Sequence, residues 1–297
     1  MAFALFSILG AASVSVLAAI VIVLGVNGVR SVAPGHPGDQ PRPADGRLLQ
    51  DLRSLTGTGD ARVSVVVVDL SQGQPQRIAI DPDAVFDAGS MYKLPVLMAN
   101  AERIAAGRMK PTDRLCFRPE EAEQGWFDDY EAGDCFSRQT LSMRAATYSD
   151  NTAGRILVDD LGGAAALNSY ARGRGAQSSA FFSPNKTTAS DLAALWTTEA
   201  LGQAGGAGAQ RWLYPMLTKT AFEHGLPAGV PSSASVVHKV GAIGGTVIDA
   251  GLVIGPRTRY VAVVAEEGLA GDAGWGLVAR VSGLIWKYEA GSQTVRR

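Results

Sequence analysis

The strongest constraint on the fold is the way the sequence separates its strand-forming runs. Arg62–Leu70 (RVSVVVVDL) is a β-branched run of strand length, and Gln76–Ile80 offers a second strand after the turn at Gly73. The next such runs, Ser235–Gly241, Thr246–Ile254 and Arg259–Glu266, come only near the other end of the chain. Between them, from Ser90 to about Leu217, the pattern is mostly helical, with Gly and Pro breaks and alanine-rich windows such as Thr188–Ala200. Arg47–Leu55 and Trp275–Tyr288 have the apolar spacing of flanking helices. The expectation is an α/β (α+β) fold: one antiparallel sheet of about five strands drawn from both ends of the chain, flanked by helices, with an inserted helical lobe over about 90–217.

Residues 1–26 carry no charged side chain and would span roughly 37 Å as a helix, enough to cross a bilayer. An uncleaved membrane anchor is expected; cleavage near Ser31-Val32-Ala33, followed by Pro34, is the alternative and would give a secreted protein. No Lys or Arg precedes the run and Arg30 follows it, which weighs weakly against an outside domain. Residues 27–46, with Pro34, Pro37, Pro41 and Pro43 among Gly, Asp and Gln, read as a tether to a globular domain over 47–297. The net charge of -1 gives no sign of a nucleic-acid partner. No cofactor is implied, and a monomer is expected. Cys116 and Cys135 have no Cys or His neighbour at metal-ligand spacing. In an oxidising compartment a bridge between them would contribute about 3 kcal/mol; two separate thiols are the alternative.

Three short motifs carry chemistry. Ser90-Met91-Tyr92-Lys93 places a hydroxyl and an amine on one face of an incipient helix, where a neutral amine can activate the alcohol. A helix cap followed by a surface lysine is the alternative for such a spacing, and Ser183-Pro184-Asn185-Lys186 repeats it as a decoy. Ser149-Asp150-Asn151 offers a second hydroxyl to pass a proton to a leaving group, and an amide to hold a lysine and a substrate carbonyl. Taken alone, such a triplet is an N-cap with its Asx turn. His238-Lys239-Val240-Gly241 sits on a strand whose glycines, Gly241 among them, admit a substrate backbone. Lys239 would add charge near Ser149 and keep Lys93 neutral by repulsion.

In this order the motifs resemble the set of the penicillin-binding and class A β-lactamase superfamily, Ser-x-x-Lys, Ser-Asp-Asn and Lys-Thr-Gly. The resemblance extends over roughly 47–290, through the strand pair before Ser90, Thr187-Thr188 leading into a helix, and Leu226-Pro227-Ala228-Gly229. It implies Ser90 as the acylated nucleophile, Lys93 as its base and Ser149 as the relay, with Asn151 and Lys239 holding relay and substrate. It also implies an oxyanion hole from the amides of Ser90 and Ala242.

The departures are informative. Gly163 to Lys186 contains no Asp or Glu, so the water-activating carboxylate of class A enzymes is missing. Val240 and Val247 stand where the family places a Thr or Ser and often an Arg for a substrate carboxylate. Arg257 and Lys219 are candidates to replace those anchors. Among His36, His224 and His238 no histidine base is expected, since His36 lies in the tether and alternation turns His238 away from Lys239. Trp126, Phe127 and Tyr130, in the acidic loop Glu120 to Asp134, are placed either to rim the cleft or to lie partly buried in a solvated loop. The resemblance therefore implies an extracytoplasmic serine hydrolase acting through an acyl-serine on a β-lactam or a peptidoglycan-type acyl-D-amino acid peptide. A catalytically weak ligand-binding or sensor domain is the alternative.

Overall fold

The computed structural model describes residues 43–292, apart from Thr58, Asp60, Gln72 and Ala270. The apolar run 1–26 and the tether as far as residue 42 lie outside the described residues; among these, no helix is long and apolar enough to cross a membrane. In chain order come α1 (Pro43–Thr56), β1 (Arg62–Asp69), β2 (Gln76–Ile80), β3 (Val85–Asp87), a 3-10 turn (Gly89–Tyr92) and α2 (Lys93–Ala105). Then follow β4 (Arg114–Cys116), β5 (Cys135–Ser137), α3 (Arg138–Thr147), α4 (Asn151–Leu161), α5 (Gly163–Gly173), β6 (Lys186–Thr188), α6 (Ala189–Ala200) and α7 (Gly206–Leu213). The chain closes with β7 (Ser235–Ile243), β8 (Thr246–Ile254), β9 (Arg259–Glu267) and α8 (Asp272–Ser292). Helix α1 starts four residues inside the segment expected to be tether.

The sheet has the order β2-β1-β9-β8-β7, with every neighbour antiparallel. It joins the two ends of the chain, and β1 pairs along its full length with β9 from Arg62↔Glu267 to Asp69↔Tyr260. The consecutive apolar residues of β1 are explained by two cores, one on each face. Val66 and Val68 join Val261 and Val263 beneath α6, while Val65 and Val67 join Ala262 and Val264 beneath Leu48 and Leu52 of α1 and Val278 and Val281 of α8. Strand β7 is an edge, so one row of its backbone N–H and C=O groups faces away from the sheet.

Two ladders were not legible in the sequence, β3 with β6 and β4 with β5, each three residues long. The first ties Phe86, just before the 3-10 turn, to Thr187. The second is closed by a disulfide between Cys116 and Cys135. Helix α2 is buried on all sides from Lys93 to Ala101. Pro95 occupies its third residue, where the missing N–H is one of the free donors of a helix start.

Candidate active site

The 3-10 turn presents Ser90 to the open edge of β7. Gly89 adopts φ +51°, and a Cβ there would lie 2.9 Å from the nitrogen of Ala242, so the close approach requires glycine. Asn185 straps the turn from the other side: its carbonyl accepts from Ala88 N at 2.9 Å and its Nδ2 donates to Gly89 O at 2.8 Å. Asn185 belongs to the decoy tetrapeptide. Its partner there, Lys186, pairs instead with Asp87 at 2.6 Å.

Lys93 is fully buried, with Nζ 2.7 Å from Ser90 Oγ, 2.9 Å from the Ser149 carbonyl and 2.6 Å from Asn151 Oδ1. Burial lowers its pKa from 10.5 to about 7, against the upward pull of Asp150 and Glu123. A neutral amine has two N–H groups for the Ser149 carbonyl and Asn151, which leaves its lone pair for the Ser90 hydroxyl. Room for this side chain comes from Gly154 on α4, where a Cβ would meet Lys93 Cε at 2.7 Å and Tyr92 Oη at 2.8 Å.

Lys239 enters from β7 and donates to Ser149 Oγ at 2.8 Å and to Val240 O at 2.9 Å. Ser149 therefore bridges the two lysines, its carbonyl facing one and its hydroxyl the other, and it holds the left-handed φ of +58° to do so. Burial, and after it the charge of Lys93, hold Lys239 well below the ordinary lysine range, while Asp249 acts upward. The expected repulsion thus depresses Lys239; the low value of Lys93 comes from burial.

The triplet's middle residue closes the cleft. Asp150 is buried; its Oδ2 accepts from the backbones of Trp126 at 3.0 Å and Phe127 at 3.1 Å, and its Oδ1 from Tyr130 Oη at 2.7 Å and Ala153 N at 2.8 Å. Asn151 Nδ2 adds a bond to the Gln124 carbonyl at 2.7 Å. Arg144 grips Asp129 with two bonds of 2.7 Å and lies over the rings of Phe127, Tyr130 and Phe136. The acidic loop is thus a built rim of the cleft.

Alternation turns His238 to the other face of β7, as its parity with Lys239 requires. It is fully buried between Asp249, 2.9 Å from Nδ1, and Glu223, 3.2 Å from Nε2. His224 is exposed, and His36 lies outside the described residues.

Val240 and Val247 are buried, and Val247 packs in the core beneath α8. Pairing of Ser235 with Ile254 puts Arg257 beyond the opposite end of β7. Lys219 lines a cavity that runs from Ser235 and Gly255 to Glu223, and it directly precedes Thr220, whose Oγ1 lies 3.3 Å from His238 Nε2. From the segment 163–186 it is Phe182 that faces the site, edge-on to Tyr92 at 5.2 Å.

A family model described as the beta-lactamase enzyme family matches residues 47–288. No curated protein matches the sequence. The solved structure of PBP-A is similar with a TM-score of 0.78 and 27% identity, over 86% of this chain and 98% of that one. A PBP-A mutant in an acyl-enzyme complex with penicillin G gives 0.77 and 28%, over 84% and 97%. An ancestral class A beta-lactamase, from the last common ancestor of Gram-negative bacteria, gives 0.71 and 27%, over 81% and 99%.

Proposed function

The chain belongs to the beta-lactamase enzyme family, and from that premise we propose that it is an extracytoplasmic serine hydrolase that forms an acyl-serine at Ser90 with β-lactams or peptidoglycan-type acyl-D-amino acid peptides. The observation that carries this reading is the 2.7 Å approach of a buried lysine to Ser90, with Ser149 between that lysine and Lys239. Lys93 takes the hydroxyl proton as Ser90 Oγ attacks the carbonyl. The backbone amides of Ser90 and Ala242 receive the oxyanion, an arrangement that lowers such barriers by about 3 to 4 kcal/mol. The leaving nitrogen then collects its proton through the hydroxyl of Ser149. Asn151 holds Lys93 and the substrate carbonyl, and Gly241 lets the substrate backbone lie along the edge of β7.

The capture of a PBP-A mutant as a penicillin G acyl-enzyme supports penicillin as the first probe. Incubation with a fluorescent penicillin and intact-mass analysis should give one adduct on Ser90, lost in Ser90→Ala; an adduct that survives this change removes the assignment. The uncharged run 1–26 and the disulfide support placing the domain outside the cytoplasm on an N-terminal anchor. Protease added to intact cells should then digest the domain, and protection would place it inside.

The buried, apolar Val240 and Val247 favour a second reading, a ligand-binding or sensor domain. In that case Lys93→Ala leaves ligand affinity unchanged, whereas in a hydrolase it abolishes acylation.

A further inference from the structure

The segment between α7 and β7 is bonded to both sides of the cleft. Its Ala221 N donates to the Thr147 carbonyl at 2.9 Å and its Met216 carbonyl accepts from Thr147 Oγ1 at 2.8 Å, so it grips the end of α3 just before Ser149. On the sheet side, Leu226 N donates to Asp249 Oδ2 at 2.7 Å, and Glu223 Oε1 stands 3.2 Å from Nε2 of His238, the neighbour of Lys239. Between these points the segment is folded on itself. Glu223 Oε1 also accepts from Thr220 N at 2.7 Å and from Thr220 Oγ1 at 3.2 Å, and Phe222 N donates to Thr220 Oγ1 at 3.2 Å. The hydrogen bond from Lys239 to Ser149 crosses the same gap between helical lobe and sheet edge.

The charge on His238 decides whether this clasp is held. The buried ring has Asp249 Oδ1 2.9 Å from Nδ1 and Glu223 Oε1 beside Nε2. An ionised carboxylate can only accept, so both contacts are attractive only when both ring nitrogens carry a proton. A neutral ring must turn one lone pair toward a carboxylate. Asp249 is buried and depends on its donor, whereas Glu223 is partly exposed and can take water instead, so the contact to Glu223 is the one given up. No other charge replaces the lost proton. The 3-10 turns Gly89–Tyr92, Tyr214–Leu217 and Leu226–Gly229, all packed against β7, carry no charged side chain. Lys239 projects to the opposite face of the strand, and Lys219 and His224 of the segment are exposed.

We propose that His238 and Glu223 are positioning residues for the proton relay: the imidazolium holds Glu223 and the clasp keeps Ser149 Oγ against Lys239, and when the ring loses its proton the clasp loosens and acylation slows. This deepens the acyl-serine reading and rests on it. Both residues act through the Ser149–Lys239 bond, which serves the proton delivered to the leaving atom.

The test follows Ser90 acylation by intact mass across pH with two donors. Benzylpenicillin has a leaving nitrogen that must collect a proton; an activated p-nitrophenyl ester loses a phenolate that needs none. In the parent protein the penicillin rate should fall on the alkaline side with the midpoint at which NMR sees the His238 ring deprotonate, near pH 9, and the ester rate should fall less. Glu223→Gln keeps the acceptor and removes the charge. It should move the penicillin limb to lower pH, placing the ratio of the rate at pH 9 to that near pH 7 about fivefold below the parent's, and Glu223→Asp should restore part of that ratio. A limb that stays in place in Glu223→Gln, or whose midpoint in the parent differs from that of the His238 ring, overturns the proposal and leaves the acyl-serine reading intact; so does an equal alkaline loss with both donors. If neither donor labels Ser90 in the parent, the acyl-serine reading falls and this proposal with it.

Discussion

Lys93 holds its role through its surroundings, and those surroundings set a pH dependence. With a pKa of about 7 it is the group whose deprotonation should give the acid limb of the acylation rate. Glu123 pulls that value upward, so Glu123→Gln should move the limb to lower pH and raise the rate near pH 6 by about two- to threefold. A limb that stays in place would show that another group controls it. His238 titrates in the opposite sense. Burial alone would lower it, but Asp249 and then Glu223 raise it from 6.5 to about 9. The stability it contributes is fully present below pH 6.5 and is lost as pH rises through 9. Lys93, lowered from 10.5 to about 7, makes stability rise with pH across an overlapping window. The readout is therefore the difference between His238→Gln and the parent in urea unfolding at a series of pH values. It should be roughly 3 kcal/mol near pH 6 and shrink toward pH 9.

At the scale of elements, the site depends on segments that bring no reactive group. Asn185, at φ +60°, donates to Gly89 O and accepts from Phe182 N, fixing the 3-10 turn against the segment before β6. Asn185→Gly tolerates the same backbone angle but removes both side-chain bonds. It should cost about 1–2 kcal/mol in denaturant unfolding and slow acylation by about tenfold, while an unchanged rate would show that β7 alone holds the turn. The long strands were legible in the sequence because burial on both faces demands unbroken apolar runs. Alternation also told correctly that His238 and Lys239 face apart. The strap was not legible, although Pro184-Asn185 does signal a turn, because its partner Gly89 is remote in sequence and nothing local encodes the pairing. Asp150 was hidden for the same reason. It does cap α4 at Ala153, as the triplet predicts, but three of its bonds go to the loop around Trp126. The ladders β3–β6 and β4–β5 are too short to show a period, and only the cysteine pair hinted at the second.

For the whole molecule, the sheet with a core on each face is the frame, and the cleft lies where edge strand β7 meets the helical lobe. That frame explains how residues as distant as Ser90, Ser149 and Lys239 converge within hydrogen-bond reach. It also fixes what the segment from α5 to β6 can offer the cleft. With no Asp or Glu between Gly163 and Lys186, that stretch contributes Phe182 and Asn185 to the surroundings of the nucleophile. Acylation needs only the lysine and serine groups already assembled, whereas hydrolysis of the acyl-serine needs a water activated from elsewhere. A positioned general base is worth about 10²–10⁴ in rate, so release of a penicilloyl group should lag acylation by about that factor. Mixing the protein with excess penicillin should then give a stoichiometric burst and a persistent adduct on Ser90, read by mass over time. Steady turnover that keeps pace with acylation would mean that a carboxylate outside this segment, with Glu123 the first to replace, activates the water.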